Sequence, residues 1–135
     1  MISKRRFERN TDELQHIFHF LKLSWEEFQV DGDDQLEMEL SVEEIFMNMI
    51  RHNHSALAKQ IEVTVEKKER EIALSLSDHE EVPFDITKAK EVDFEEYIKK
   101  VKSGGLGIHL VKKLMDEVKF EHRLGVSTVT IIKHI

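Results

Sequence analysis

The chain has 135 residues, of which 40% are hydrophobic, with one proline and five glycines. This length and composition predict a single domain, spanning residues 1–135, that buries a core without metal or disulfide support. The absence of cysteine excludes disulfides, thiol catalysis and thiolate metal sites. A formal net charge of −7, without a long basic segment, argues against direct nucleic-acid binding.

The sequence contains no candidate membrane span, because no apolar run approaches the roughly 18 to 20 residues that cross a bilayer. The basic start MISKRRFERN is followed by no apolar signal region. We therefore expect a cytoplasmic protein with no membrane partner. The eight histidines are more typical of scattered surface positions than of a metal site. His52 and His54, for example, are two residues apart and would lie on different faces of a helix.

The first elements in chain order are a short strand and a helix. Residues 3–10 predict an edge strand, and Asn10 or Thr11 would cap the helix that follows. That helix extends from Asp12 to about Val30, because apolar residues recur at spacings of three and four. The stripe consists of Leu14, Ile17, Phe18, Leu21, Trp25 and Phe28.

This helix has more apolar residues than one packed stripe would use. Phe20 and Leu23 fall off it, and Trp25 adds further apolar area. One helix face can also pack on its own sheet, but the surplus leaves room for a homodimer. The next four residues, DGDD at 31–34, predict a turn that caps the next helix. They lack the spacing and the terminal glutamate of an EF-hand calcium loop.

A second helix is predicted from about Gln35 to Arg51, and it contains the segment EEIFMNMIRH. Asn48 is unusual there, because a buried amide gains little in a helix interior unless something bonds it. Glu44 lies four residues earlier and hence on the same face. A carboxylate beside an amide oxygen suits a divalent cation, or a proton acceptor next to a metal-holding oxygen. A solvated helix face with a hydrogen-bonded asparagine is the alternative.

The remaining elements are mostly hairpins. Alternating apolar residues predict an antiparallel hairpin over residues 60–78, and another with strands at 118–123 and 127–134. Between them, residues 78–92 are irregular, 93–102 predict a short charged helix, and a helix runs from Leu106 to about Val118. Its expected apolar stripe consists of Leu106, Leu110, Leu114 and Val118. The fold class predicted is α+β, a two-layer sandwich whose mostly antiparallel mixed sheet is covered on one face by helices.

Three glycines lie within four residues in the segment SGGLG, which precedes the predicted helix at 106. Glycines at a helix start let the backbone approach an anion, and the exposed amides favour phosphate. The segment is neither a Walker A motif nor a dinucleotide-binding fingerprint that follows a strand. A flexible joint is the alternative function of such glycines.

Asp78 ends a predicted strand, at the start of the segment DHEEVPFD. A carboxylate in this position could bond the edge of a base or a sugar. An ordinary turn residue is the alternative.

Together, EEIFMNMIRH, the acidic stretch ending in VPFD, and GGLGIHLVKKLMDEVKFEHRLGVSTVTIIK resemble the GHKL ATP-binding superfamily. Within it, the likeness is closest to the bacterial anti-sigma-factor serine/threonine kinases. The resemblance covers residues 35 to 133, and its most specific part extends from the GGLG segment to Asp116. It implies the histidine-kinase-like ATPase fold, with ATP and Mg²⁺ as cofactors.

The resemblance also implies roles for individual residues. Asn48 would hold Mg²⁺ that bridges the phosphates, and Glu44 would be the general base that polarises the attacking hydroxyl. Thr130 would lie near the adenine, and residues 92–103 would form a lid over the nucleotide. The backbone amides that cradle the phosphates would belong to Gly104, Gly105, Leu106 and Gly107.

The sequence departs from the family pattern at the adenine loop. The family has Asp-x-Gly there, with the aspartate bonding the adenine amino group and the glycine admitting the base. Without a gap, His79 takes the aspartate position and Glu81 the glycine position. One inserted residue restores Asp78 and leaves Glu80 where glycine belongs. Either alignment puts a long anionic side chain where the base should lie.

The function implied is that of a kinase that binds Mg·ATP, holds a sigma factor and phosphorylates a serine or threonine on an antagonist (anti-anti-sigma) protein. The altered adenine loop favours a different class, a regulatory interaction module with weakened or lost nucleotide use. A histidine-kinase catalytic domain is a third interpretation. His16 and His19 lie on the first helix, but that helix lacks the dimerising hairpin that a phospho-acceptor histidine needs.

Overall fold

The computed structural model describes residues 1–53, 58–80 and 106–135. A turn of 3-10 helix at Thr11–Glu13 precedes the first α-helix. The helices are α1 (Leu14–Phe28), α2 (Gly32–His52) and α3 (Leu106–Leu114). The strands are β1 (Ile2–Glu8), β2 (Gln60–Lys68), β3 (Glu71–His79), β4 (Glu117–Arg123) and β5 (Val126–His134). The predicted helix at 93–102, the proposed lid at 92–103, Gly104 and Gly105 lie outside the described residues.

The five strands form one sheet in the order β1-β2-β3-β5-β4, and every pairing between them is antiparallel. Apolar residues alternate along β2 and β3, so that their side chains line one face of the sheet. That face joins buried residues of α1, α2 and α3 in a single core. The predicted α+β two-layer fold is therefore confirmed.

Helix α1 begins behind Asn10, whose side chain accepts a hydrogen bond from the Asp12 amide at 2.9 Å. Of the three residues of the expected apolar surplus, Trp25 is buried on the predicted stripe, which is confirmed there, and Phe20 is buried although it falls off the stripe. Phe20 packs edge-on against Phe7 with ring centroids 5.8 Å apart. Trp25 is buried and donates its indole N–H to Glu39 at 3.1 Å. Leu23 alone among the three is exposed, so the homodimer stays a prediction with less support.

Helix α2 starts earlier than the sequence predicts. The segment DGDD caps this helix as predicted, because Asp31 is the extended N-cap residue, but residues 32–34 are already helical and form no separate turn. The amide of Gln35 donates to the Asp31 carbonyl at 3.0 Å, as expected for a first helical turn. Asp33 and Asp34 lie in that turn, where the positive end of the helix dipole favours acidic residues.

Helix α3 is shorter than predicted, and its predicted stripe is confirmed only in part, because Leu114 and Val118 are partly buried against the core. It ends at Leu114, since β4 begins at Glu117 and places Val118 in the sheet opposite Ile131. The buried residues of this segment are Ile108, Val111 and Met115, whereas Leu110 is exposed. These buried residues belong to the core that includes α2, so α3 packs against the helix that carries Glu44 and Asn48. Among the described helices, none is both long and apolar enough to span a bilayer.

Candidate functional site

Helix α2 places Glu44 and Asn48 one turn apart on the same side. Asn48 is buried, with 4% of its surface exposed, and it lines a cavity between α2 and the sheet. Asp78, Glu80 and Ser127 line the same cavity. The unusual asparagine of the sequence therefore faces a site that contains two carboxylates, rather than solvent.

Glu44 lies directly against the start of α3. A Cβ atom built on Gly107 would overlap the Glu44 carboxylate and would lie only 2.6 Å from its Cγ. A side chain at 107 would force the Glu44 side chain to move, so the absence of a Cβ atom permits this close approach of backbone and carboxylate. The two segments that the sequence identified as a catalytic and a phosphate-binding element are in contact, as a shared nucleotide site requires.

Burial raises the pKa of the half-buried Glu44 carboxyl, and the neighbouring Glu43 raises it further, while Arg51 opposes the shift. A carboxylate with a raised pKa is a stronger proton acceptor once it is ionised. The Glu44 carboxylate also lies at the amino end of α3, where the helix dipole favours a negative charge.

Asp78 ends β3 as a deeply buried carboxylate, with 2% of its surface exposed. Its Oδ2 accepts hydrogen bonds from the guanidinium of Arg9 and, at 2.8 Å, from the side-chain amide of Asn53. Its Oδ1 is buried and accepts no hydrogen bond from any of the residues that the structure describes. Burial raises the pKa of Asp78; the Asn53 hydrogen bond and Arg9 lower it, and Glu80 raises it.

Glu80 projects into the same cavity, and three contacts hold it there. Its Oε1 accepts a hydrogen bond from the Ser127 hydroxyl at 2.7 Å. Its carbonyl accepts one from His122 Nε2 at 2.7 Å, and its amide donates to the Gly125 carbonyl at 2.9 Å. The space left between the described residues is about 10 Å³, enough for one water molecule at most. Glu80, which the alignment with one inserted residue places at the glycine position, thus lies inside the cavity, whereas Glu81 of the ungapped alignment lies outside the described residues.

Thr130 does not line the cavity that contains Asn48, Asp78 and Glu80. Ser127 and Val129 face the cavity, and successive side chains of a strand alternate between the two faces. Thr130 therefore lies on the opposite face of the sheet, where its hydroxyl is 2.9 Å from that of Ser75. On the cavity side, β5 contributes the hydroxyl of Ser127. Sequence reasoning missed it and chose Thr130, three positions later, which lies on the other face because an odd separation along a strand reverses the side.

Sequence reasoning also missed Arg9 and Asn53. Arg9 follows an edge strand, and its partner Asp78 is 69 residues away, so no local motif connects them. Asn53 follows α2 and bonds the end of β3. The side chain of Leu106 and all of Gly104 and Gly105 lie outside the described residues. Within the predicted phosphate loop, the described contact is that of Gly107 with the Glu44 side chain.

The residues present fit a magnesium nucleotide in most of their chemistry. Asn48 offers an oxygen ligand of the kind that Mg²⁺ prefers, Glu44 offers a proton acceptor, and Gly107 permits a close approach to the backbone. The unpartnered Oδ1 of Asp78 is an acceptor suited to an amino group on a base. The cavity that Asp78 shares with Asn48 and Glu80 does not fit a base while Glu80 bonds Ser127. A nucleotide base that enters this cavity would therefore have to displace the Glu80 side chain.

Known proteins resemble this chain in sequence and in structure. The chain is 25% identical over 107 residues to the serine-protein kinase RsbW of Bacillus thuringiensis, a match that covers 76% of this chain and 66% of the relative. The match thus spans slightly less than two thirds of the relative's length.

Two solved structures share the fold. The RsbU and RsbW domains of a Mycobacterium tuberculosis protein superimpose with a TM-score of 0.70 at 12% identity, covering 98% of this chain and 32% of that chain. The SiaB–SiaC complex of Pseudomonas aeruginosa gives a TM-score of 0.61 at 15% identity, covering 98% of this chain and 89% of that chain.

A family model extends over nearly the whole chain. The model of the histidine kinase-like ATPase domain matches residues 7–133, a range that includes both α2 and α3. The resemblance to the GHKL superfamily is therefore confirmed. This chain belongs to the histidine kinase-like ATPase domain family.

Proposed function

We propose that this protein is an ATP-dependent serine/threonine kinase of the anti-sigma-factor type, acting in the cytoplasm on protein partners. The contact between Glu44 and Gly107 carries the proposal, because it joins the general base to the phosphate-binding helix. Similarity to RsbW, a serine-protein kinase, supports the reaction class. Its substrate would be a serine or threonine on an antagonist (anti-anti-sigma) protein, and a sigma factor would be its second partner.

The roles follow from the order of groups along α2. Glu44, Asn48 and the helix end beside Asp78 extend over about 13 Å at 1.5 Å per residue. A nucleotide lying alongside α2 would put its base near Asp78 and its phosphates near Gly107. Bound ATP would supply the phosphoryl group, and its Mg²⁺ would neutralise negative charge on the phosphate oxygens.

Within that arrangement, each residue has a defined task. Asn48 would hold Mg²⁺ through its side-chain oxygen. Backbone amides of the glycine segment at 104–107 would bind phosphate oxygens. Glu44, ionised, would accept the proton of the attacking serine or threonine hydroxyl as that oxygen bonds to the terminal phosphorus and the bond from this phosphorus to the departing ADP breaks. Its contact with Gly107 would keep the carboxylate beside the reacting phosphate.

Phosphoryl transfer in vitro tests this function. Labelled ATP with magnesium would be incubated with the full chain and a candidate antagonist protein. Glu44→Gln should abolish transfer while nucleotide binding persists. Glu62→Gln is the matched control, since Glu62 lies on β2 and pairs with Lys4 and Arg6 at the edge of the sheet. Undiminished transfer by the Glu44 variant would refute the assigned role.

The cavity filled by Glu80 favours a second candidate, a regulatory module of the same fold that acts by binding alone. Thermal unfolding with Mg·ATP separates the two candidates. A ligand at 100 times its dissociation constant adds about 2.7 kcal/mol to the free energy of unfolding. No shift at millimolar nucleotide would favour the binding module over the kinase.

A further inference from the structure

Asp78 is a buried charge that needs a buried counter-charge. An isolated carboxylate in a protein interior takes up a proton unless a cation or several donors offset the loss of water. Arg9 supplies the cation: its Nη1 donates to Asp78 Oδ2, and its own side chain is only 11% exposed. Asn53 donates to the same oxygen at 2.8 Å. Both donors occupy Oδ2, which leaves Oδ1 without a hydrogen bond from the described residues.

Arg9 is itself fixed by the end of α2. Its Nη2 donates to the carbonyl of Met49 at 3.1 Å and to that of Asn53 at 2.8 Å. These carbonyls are at the helix carboxyl end, where the dipole favours a positive charge. The guanidinium thus joins the segment after β1, the end of α2 and the end of β3. The orientation of the Asp78 carboxylate is thereby set relative to the helix that carries Asn48.

We propose that Arg9 is a positioning residue that determines which base the nucleotide site accepts. It keeps Asp78 ionised and presents Oδ1 as a pure acceptor, so that a purine with a 6-amino donor binds and one with a 6-oxo group is rejected. This inference rests on the proposed function, because it assumes that the cavity beside Asp78 receives a nucleotide base. Arg9 would touch no part of the nucleotide.

The proposal has a signature that a general loss of stability does not produce. Without the guanidinium, Asp78 takes up a proton and its carboxyl becomes a donor as well as an acceptor. The 6-amino base then loses its advantage, while the 6-oxo base gains a partner. The ratio of the ATP and ITP dissociation constants should change, whereas an unstable fold would weaken both nucleotides alike.

Calorimetric titration of the full chain with ATP and with ITP, each with magnesium, tests the proposal. The unmodified chain should prefer ATP. Arg9→Met should reduce that preference by about tenfold or more, the effect of losing one hydrogen bond to a charged group. Arg9→Lys, which keeps the charge without the forked donors, should retain part of the preference and serves if the methionine variant does not fold. Arg6→Met is the matched control, because Arg6 pairs with Glu62 and is 70% exposed.

The outcomes separate this proposal from the proposed function. If the unmodified chain prefers ATP and both Arg9 variants keep the same ratio, Arg9 has no positioning role and the nucleotide site stands. If the Arg6 control changes the ratio as much as Arg9→Met does, the assignment to Arg9 is wrong. If the unmodified chain binds neither nucleotide, the proposed function fails and the role of Arg9 fails with it.

Discussion

The carboxylate of Glu44 lies against the backbone of Gly107, in space that any side chain at 107 would occupy. Helix α2 and helix α3 therefore meet at the two residues to which the family resemblance assigns proton transfer and phosphate binding. A side chain at 107 would therefore force the Glu44 side chain to move. In contrast, a Cβ atom at Gly32, also in the first turn of a helix, would meet nothing within 4 Å.

Gly107→Ala should displace the Glu44 carboxylate from the start of α3. We expect phosphoryl transfer to fall by about tenfold or more, because a small misplacement of a catalytic group costs rate steeply. Gly32→Ala should leave transfer unchanged and slightly stabilise α2, since alanine is the better helix former. Turnover and thermal unfolding of both variants check this pair. Equal effects of the two substitutions would contradict the assigned contact.

Removing Asn48 should remove the magnesium dependence of nucleotide binding. Asn48→Ala deletes the oxygen that we assign to the cation, so ATP titrations with magnesium and with EDTA should give the same affinity. Ser41→Ala is the control: Ser41 is buried on α2, and its hydroxyl donates to the Glu37 carbonyl of its own helix at 2.8 Å. A magnesium effect that persists without Asn48 would exclude it as the ligand.

The acidic limb of the kinase pH profile should report Glu44. A general base works only when ionised, and burial together with Glu43 raises the pKa of Glu44. Activity should therefore be lost on acidification at a higher pH than an exposed glutamate would give. Glu43→Gln removes one of the raising influences, so it should move this limb to lower pH. An unmoved or opposite limb, measured as kcat against pH, would exclude Glu44 as the titrating base.

Glu80→Gly should open the cavity beside Asp78 and strengthen ATP binding. The variant removes the side chain that bonds Ser127 and occupies the space of the base. We expect about a tenfold gain, measured by calorimetry. Glu80→Gln keeps the volume and removes the charge, so it separates steric from electrostatic obstruction. Unchanged affinity in the glycine variant would show that Glu80 does not limit nucleotide binding.

A homodimer would have less exposed apolar surface on α1 than the sequence predicts. Phe20 and Trp25 lie in the core, and Leu23 is the exposed residue of the three, with 52% of its surface accessible. Sedimentation at tens of micromolar measures the association directly. A dimer that uses this face should dissociate in a Leu23→Glu variant; a chain that is monomeric at this concentration would remove the prediction.

Local patterns in the sequence were sufficient for much of the fold. Alternating apolar residues in β2, β3 and β5 indicate which side chains share a face of the sheet, and apolar residues spaced three and four apart predict the helices. Both patterns depend only on residues two to four positions apart. The same reasoning put Glu44 and Asn48 on one side of α2. The predicted start of α2 and the predicted end of α3 were less accurate. The N-cap residue Asp31 decides the first, and strand pairing from Glu117 onward decides the second.

Contacts between distant segments were decided by tertiary structure alone. The contact of Glu44 with Gly107, the pairing of Arg9 with Asp78 and the burial of Phe20 all depend on how the helices pack on the sheet. So does the choice of Ser127 over Thr130 for the cavity. The sequence by itself determined which groups the chain could offer to a nucleotide. Packing decided which of them face one another, because charge pairing and close approach depend on distances in space that local spacing does not report.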